Sequence, residues 1–204
     1  MTVAELLSYL QNKTGRTDKN TDLVAGINWV KNELCNLRLS ALLKKGSVMS
    51  YAAGEYHKAL PDDFGVIDKV VCVLSSGGNY YKLDEGDRDT LLFDDTEGTY
   101  PARYCIIGTD LYIGCPRPGS DINIYPTYYR KPSDYTAAST DTPILSDIFG
   151  IEVYVFGAER YLWNCLNVPE LEAQAEARFQ NELGKLKTRD ANRRTDRVRP
   201  SGVF

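Results

Sequence analysis

DINIYPTYYRKPSD, residues 121–134, holds three tyrosines, a basic pair and two prolines. Ile122 and Ile124 alternate with Asn123 and Tyr125, so one face is apolar and the other carries amide and ring, the pattern of a half-buried strand. Pro126 has no N–H to give a ladder, which predicts an edge strand or a bulge. Beyond Pro132 the chain becomes polar and turn-rich, SDYTAASTDTP. The segment is either the last strand of a sheet domain running into a linker, or an aromatic and basic platform for nucleic acid. The chain on either side bears on the choice.

Upstream, from Gly46, short β-branched and aromatic runs punctuated by Gly and Pro predict strands near 47–51, 55–60, 66–75 and 79–83, with SSGGN as a turn. DEGDRDTLLFDD (84–95) reads as a short helix or loop, and ARYCIIGTDLYIGCP (102–116) as two strands about a Gly-Thr-Asp turn. Helices flank this region. Thr2 stands three residues before Glu5 as a capping box, Val3, Leu6, Leu7 and Leu10 share a face, and Gly15 is the stop. Leu23, Val24, Ile27, Val30, Leu34 and Leu37 recur at three and four, predicting a helix over 21–43. Downstream, Thr142 with Pro143 predicts a helix start. This helix is apolar nearly all round from Ile148 to Phe156 and therefore needs cover on most sides. A last helix over 168–190 carries Leu171, Ala175, Phe179, Leu183 and Leu186 as a stripe. Its acids come early (Glu170, Glu172, Glu176) and its bases late (Lys185, Lys187, Arg189), matching the helix dipole. ANRRTDRVRPSGVF has no apolar period and predicts an extended tail. Neither helical end can bury its stripe alone, so the two pack together. The fold expected is α+β: helices from 1–45 and 136–190 in one bundle, a mainly antiparallel β domain over 46–135 inserted between them, and a basic tail over 191–204.

The chain has 204 residues, 43% of them hydrophobic, as in an ordinary folded protein. It has no apolar run of membrane-spanning length, and MTVAELLSYLQNK lacks the basic-then-apolar order of a signal peptide, which points to a soluble intracellular protein with no membrane partner. Five scattered cysteines without a C-x-x-C pair argue against a disulfide framework and a structural zinc site, and predict reduced, mostly buried thiols. The net charge of −4 is asymmetric. From Lys185 on there are seven Lys or Arg against two acids, a local +5, which leaves −9 on the first 184 residues. Such a body has no general attraction for phosphate, whereas the tail does.

No catalytic set emerges. His57, the one histidine, lies in a predicted strand with no nucleophile at a useful spacing and reads as structural or exposed. SSGGNYYK lacks the phosphate-loop pattern and opens no helix. Asp84, Glu85, Asp87 and Asp89 could hold a hard cation, which would leave room for a small hydrolase, but their spacing fails the calcium-loop pattern and a solvated acidic turn is the simpler reading. An enzyme is disfavoured, and no cofactor or metal is expected. Tyrosine is the compositional anomaly, at 14 residues. Tyr80, Tyr81, Tyr125, Tyr128, Tyr129 and Tyr135 concentrate in the sheet region and its exit. Base stacking, protein interfaces and ordinary strand packing all suit such rings. In an acidic body the last two are favoured over a nucleic-acid-binding module built from the tyrosines and the arginine tail.

The order of motifs adds a resemblance. Pro61, Asp63 and Phe64 lead into a strand; Tyr104, Ile106, Gly108, Leu111 and Ile113 mark a hairpin, followed by Pro116 and Pro118; Tyr128, Tyr129, Lys131 and Pro132 introduce the C-terminal helices. Together these resemble the head-to-tail adaptor proteins of short-tailed bacteriophages, the tail tubular protein A type, over about residues 20–190. The resemblance implies a structural protein of the virion tail, assembled in the host cytoplasm. It further implies a dodecameric ring of identical subunits between the portal and the tail nozzle, passing genomic DNA without reading its sequence. It would place the basic C-terminus against the portal, through Arg189, Arg193, Arg194, Arg197, Arg199 and Phe204, and Tyr80, Tyr81, Tyr128 and Tyr129 against the nozzle or a neighbouring subunit.

Overall fold

The computed structural model describes residues 1–75, 77–93, 96–98, 100–114 and 117–198, with the side chains of Glu97 and of 194–198 excepted. In chain order its elements are α1 Val3–Thr14, α2 Asn20–Asn36, a 3-10 turn Ser40–Leu42, β1 Leu43–Lys45, β2 Met49–Tyr51, β3 His57–Ala59, β4 Phe64–Leu74, β5 Tyr81–Glu85, α3 Arg88–Phe93, β6 Glu97–Gly98, β7 Arg103–Ile107, β8 Asp110–Gly114, β9 Arg117–Pro118, β10 Ile122–Arg130, α4 Ser146–Phe149, α5 Glu152–Cys165 and α6 Pro169–Val198. The fold is α+β. The chain divides into two compact units: Met1–Leu42 with everything from Pro132 on, and Leu43–Lys131. No helix among the described residues is long and apolar enough to cross a membrane.

In the helical unit the capping box forms as its sequence demands: Glu5 N–H donates to Thr2 Oγ1 at 3.2 Å, Thr2 N–H donates to Glu5 Oε2 at 2.8 Å, and Gly15 takes the left-handed conformation that ends α1. The apolar helix α5 packs between α2 and α6. Close approach requires small residues there: a Cβ on Gly157 would lie 2.3 Å from Val30 Cγ2 and 2.9 Å from Phe179 Cε2. The helix that seemed to need partners on most sides is thus covered largely by its own chain, with Tyr154, Ala158 and Leu162 fully buried. Lys31, also fully buried, donates to Pro132 O at 3.0 Å and to Asp134 Oδ1 at 2.5 Å, and Asn28 exchanges two hydrogen bonds with the Tyr135 backbone. The first residues after the β unit are thereby fastened to α2.

Four expectations in the helical unit need correction. The helix predicted over 21–43 ends at Asn36, because Arg38 takes a left-handed φ of 49° and the chain then makes the 3-10 turn and β1. The helix predicted from Thr142 starts only at Ser146 and breaks at Gly150 (φ 93°): the Ile144 N–H is spent on the Tyr135 hydroxyl and Ser146 closes a turn on Pro143. Leu171, placed on the buried stripe of α6, is 38% exposed, and the packed stripe runs Ala175, Phe179, Leu183, Leu186 and Asp190. The tail expected to be extended from 191 is helical through Val198, since no Gly or Pro interrupts the chain between Gly184 and Pro200. Residues 199–204 lie outside the described structure.

In the β unit one eight-stranded sheet runs β1-β10-β4-β5-β7-β8-β3, with β2 also on β10, and β6 pairs β9 separately. All pairings in the large sheet are antiparallel except β5–β7. Its inner face is a core of Tyr51, Leu60, Val70, Cys72, Leu83, Tyr104, Leu111, Ile113, Ile122 and Ile124. Of the two readings of the opening stretch, edge strand or bulge, the edge is wrong: it is the interior strand β10, paired with β4 on one side and with β1 and β2 on the other. Pro126 is tolerated because its side of the strand meets the break between β1 and β2, where its carbonyl accepts from Gly46 N–H at 2.8 Å. A register shift follows at once, between Thr127 and Tyr128.

Candidate functional site

The residues that might have carried chemistry have other duties. Asp87 caps α3, its Oδ2 accepting from Asp89 N–H at 3.1 Å and Thr90 N–H at 3.2 Å. His57 stacks on Tyr112 with ring centroids 5.1 Å apart, meets Tyr56 edge-on, and has Nδ1 3.8 Å from Asp110 Oδ2. Among the described residues no group of His, Cys, Asp and Glu is arranged to hold a metal ion. Cys35, Cys72 and Cys105 are buried, whereas Cys165 is exposed; burial pushes the Cys72 thiol up to about 11.

The tyrosines separate into two sets. Tyr51, Tyr128, Tyr135 and Tyr154 are core residues with satisfied hydroxyls: Tyr51 donates to Leu111 O at 3.1 Å, Tyr154 to Ile144 O at 3.1 Å, and the Tyr135 oxygen accepts from Ile144 N–H at 2.9 Å. Burial raises their phenol pKa values. Tyr128, expected at a partner surface, is fully buried and donates to Asp63 Oδ1 at 2.6 Å. With no exposed surface it can make no surface contact. Asp63 also holds Lys44 Nζ at 2.7 Å through Oδ2. Burial alone would raise the Asp63 carboxyl, but the Lys44 and Tyr128 hydrogen bonds outweigh it and hold the group below the usual carboxylate range, while Lys44 is raised in turn.

Tyr80, 74% exposed, Tyr81, 37% exposed, and the half-buried Tyr129 remain available, with Tyr125 beside Tyr80 at 6.3 Å between rings. Ring count alone could not separate Tyr128 from Tyr129, but alternation does: the period that buries Ile122 and Ile124 runs unbroken along β10 and puts Tyr128 inward and Tyr129 outward. The sequence reading also missed the lysines around these rings. Lys45 lies over the Tyr125 ring at 5.4 Å, and Lys45, Lys69, Val71, Tyr80, Tyr125 and Thr127 line a hollow of about 240 Å³ on the outer face of the sheet. It missed Phe93 as well, which ends α3 at 80% exposure.

At the basic end, Arg189 donates to Phe149 O at 3.4 Å and Arg193, one turn on, lies over the Phe149 ring at 5.4 Å. Asp190 faces inward and accepts from Ser40 N–H at 2.8 Å and Ser40 Oγ at 2.5 Å. Arg194 and Arg197 belong to α6; Arg199 and Phe204, with Cys115 and Pro116 of the hairpin motif, lie outside the described residues. A comparison with curated proteins returns no match. The family model for the SU10 adaptor protein matches residues 1–201, and the chain accordingly belongs to the SU10 adaptor protein family, a family of phage adaptors.

Proposed function

We propose that this phage adaptor is a structural virion protein of the tail tubular type. It assembles in the host cytoplasm as a dodecameric ring between the portal and the tail nozzle and gives passage to the genome. The observation that carries the reading is α6. It runs for 30 residues, about 45 Å, and remains helical for eight residues past Asp190, the last buried residue of its stripe among the described side chains. The continuation is rich in arginine and helical in backbone, a cationic rod rather than a loose tail. Arg189, Arg193, Arg194, Arg197, Arg199 and Phe204 are the proposed portal contacts. Tyr80, Tyr81 and Tyr129 serve the nozzle or the neighbouring subunit. An acidic body lets DNA slide without adhering, because duplex binding needs several cations on one face.

The test is particle mass by light scattering, for the protein alone and mixed with the portal ring of the same phage. A complex with about a dozen copies per portal is expected, in keeping with closed rotational symmetry. Protein that stays monomeric and ignores the portal at micromolar concentration overturns the reading.

A further inference from the structure

The outward side of the β-unit sheet carries a line of lysines that follows from its register. Lys45, Thr127 and Lys69 form one cross-strand row over β1, β10 and β4, and Tyr125, Val71 and Lys82 the next over β10, β4 and β5. Two strand spacings put Lys45 and Lys69 about 10 Å apart at the backbone. Lys82 is the diagonal neighbour of Lys69, at about 7–8 Å. All three are exposed, and none has an ion-pair partner among the described residues. Asp68 stands beside Lys69 and Asp84 two residues beyond Lys82, so the track keeps a positive balance on a chain whose first 184 residues sum to −9.

The hollow of about 240 Å³ lies on this track. Lys45 and Lys69 line it together with Val71, Thr127 and the rings of Tyr80 and Tyr125. Tyr80 is 74% exposed, and its ring is inclined at 59° to that of Tyr125, so neither closes over the other. Lysine is depleted from protein interfaces, because a strongly hydrated ammonium is costly to bury. On phosphate it needs no burial, since neutralising the backbone releases condensed counterions. Aromatic faces beside such cations take unpaired bases, each of which offers a π face whatever its identity. Duplex bases are stacked out of reach of a ring on a sheet, so the ligand that uses both features is a single strand. The acidic remainder of the chain does not prevent this, because at physiological ionic strength fields decay over about 8 Å.

We propose that this sheet face binds single-stranded nucleic acid without regard to sequence: Lys45, Lys69 and Lys82 follow the phosphates, and a base stacks on Tyr80 beside the hollow. Tyr80 then serves nucleic acid, and Tyr81 and Tyr129 are left to protein contacts. The contact needs no ring of subunits, and its ligand is not the duplex that slides through a lumen.

Fluorescence anisotropy of a labelled oligothymidylate of about 15 nucleotides, titrated with the full chain between about 50 and 200 mM salt, tests it. Circular dichroism checks that each variant folds. The wild type is expected to bind with an affinity that falls as salt rises. Lys45→Ala, Lys69→Ala and Lys82→Ala together should lower the slope of log affinity against log salt by about 2, at about 0.7 per phosphate contact. Tyr80→Ala should weaken binding at least about fivefold and leave that slope unchanged. Changing Arg193, Arg194, Arg197 and Arg199 to Ala should leave both effects in place. Wild-type protein that fails to bind at micromolar concentration in the lower salt would overturn the proposal. So would binding that ignores the lysine and Tyr80 changes and vanishes with the arginines. A duplex of the same length bound as tightly, with no effect of Tyr80→Ala, would overturn the single-strand assignment. Lysine variants that bind the oligonucleotide normally yet fail to assemble on the portal would give the face to a protein instead. None of the oligonucleotide results bears on particle mass with the portal, so the ring and the strand contact fail separately.

Discussion

Asp63 connects three parts of the β unit: its carboxylate takes the Tyr128 hydroxyl and the Lys44 ammonium, and its carbonyl accepts from Lys131 N–H at 2.7 Å. Because the folded state holds this carboxyl below its ordinary range, its stabilising effect is complete above the unfolded pKa of roughly 4 and fades as pH falls through the lower folded value. Asp63→Ala is expected to cost about 1–3 kcal/mol at neutral pH, since it strands a buried phenol donor. The variant should also show a shallower loss of stability below about pH 4 than the wild type, measured by urea unfolding across pH. An unchanged acid limb would mean that other carboxylates dominate. Asp63 was legible in the sequence as part of the Pro-Asp-Phe strand start, but its partners were not. Tyr128 lies 65 residues away, on the face of β10 that Ile122 and Ile124 turn inward.

Among the elements, those set by local chemistry were readable: the α1 capping box, the β7–β8 hairpin about Gly108, and the β-branched run of β4. Those set by tertiary competition were not. Pro126 pointed to an edge or a bulge for β10, and the gap between two partner strands explains why an interior strand accepts it. The stretch from Thr142 to Phe156 looked like one long helix, yet the positive φ angles of Leu145 and Gly150 divide it. Packing of α5 gives a paired prediction of opposite sign. Gly157→Ala forces a methyl onto Val30 and Phe179 and should destabilise by about 1–3 kcal/mol. Gly184→Ala in α6 meets nothing within 4 Å and should stabilise by up to about 1 kcal/mol through helix propensity. Thermal and urea unfolding of the two variants read both signs, and equal effects would refute the close-approach account.

For the whole molecule, burial and charge part company along α6: Asp190 is the last buried residue among those whose side chains are described, whereas the cationic sequence continues. Deleting residues 191–204 should change unfolding free energy by less than about 1 kcal/mol, the scale of the lost Arg193–Phe149 contact. It should also weaken portal binding and flatten its dependence on salt, measured by titration at two ionic strengths. A large loss of stability would show that the terminus serves the fold rather than a partner. The net charge pattern was visible in the sequence, but its display on a helix was not, because helix propagation past a packed segment leaves no apolar period to read. A different consequence follows from the pairing of Leu43 with Tyr129. The inserted segment enters and leaves through neighbouring strands about 5 Å apart, so its two ends could be joined by a single tight turn. In genetic terms Leu43–Lys131 is a cassette: the reading frame can exchange it for any insert whose first and last strands pair, without re-routing the helices that carry it.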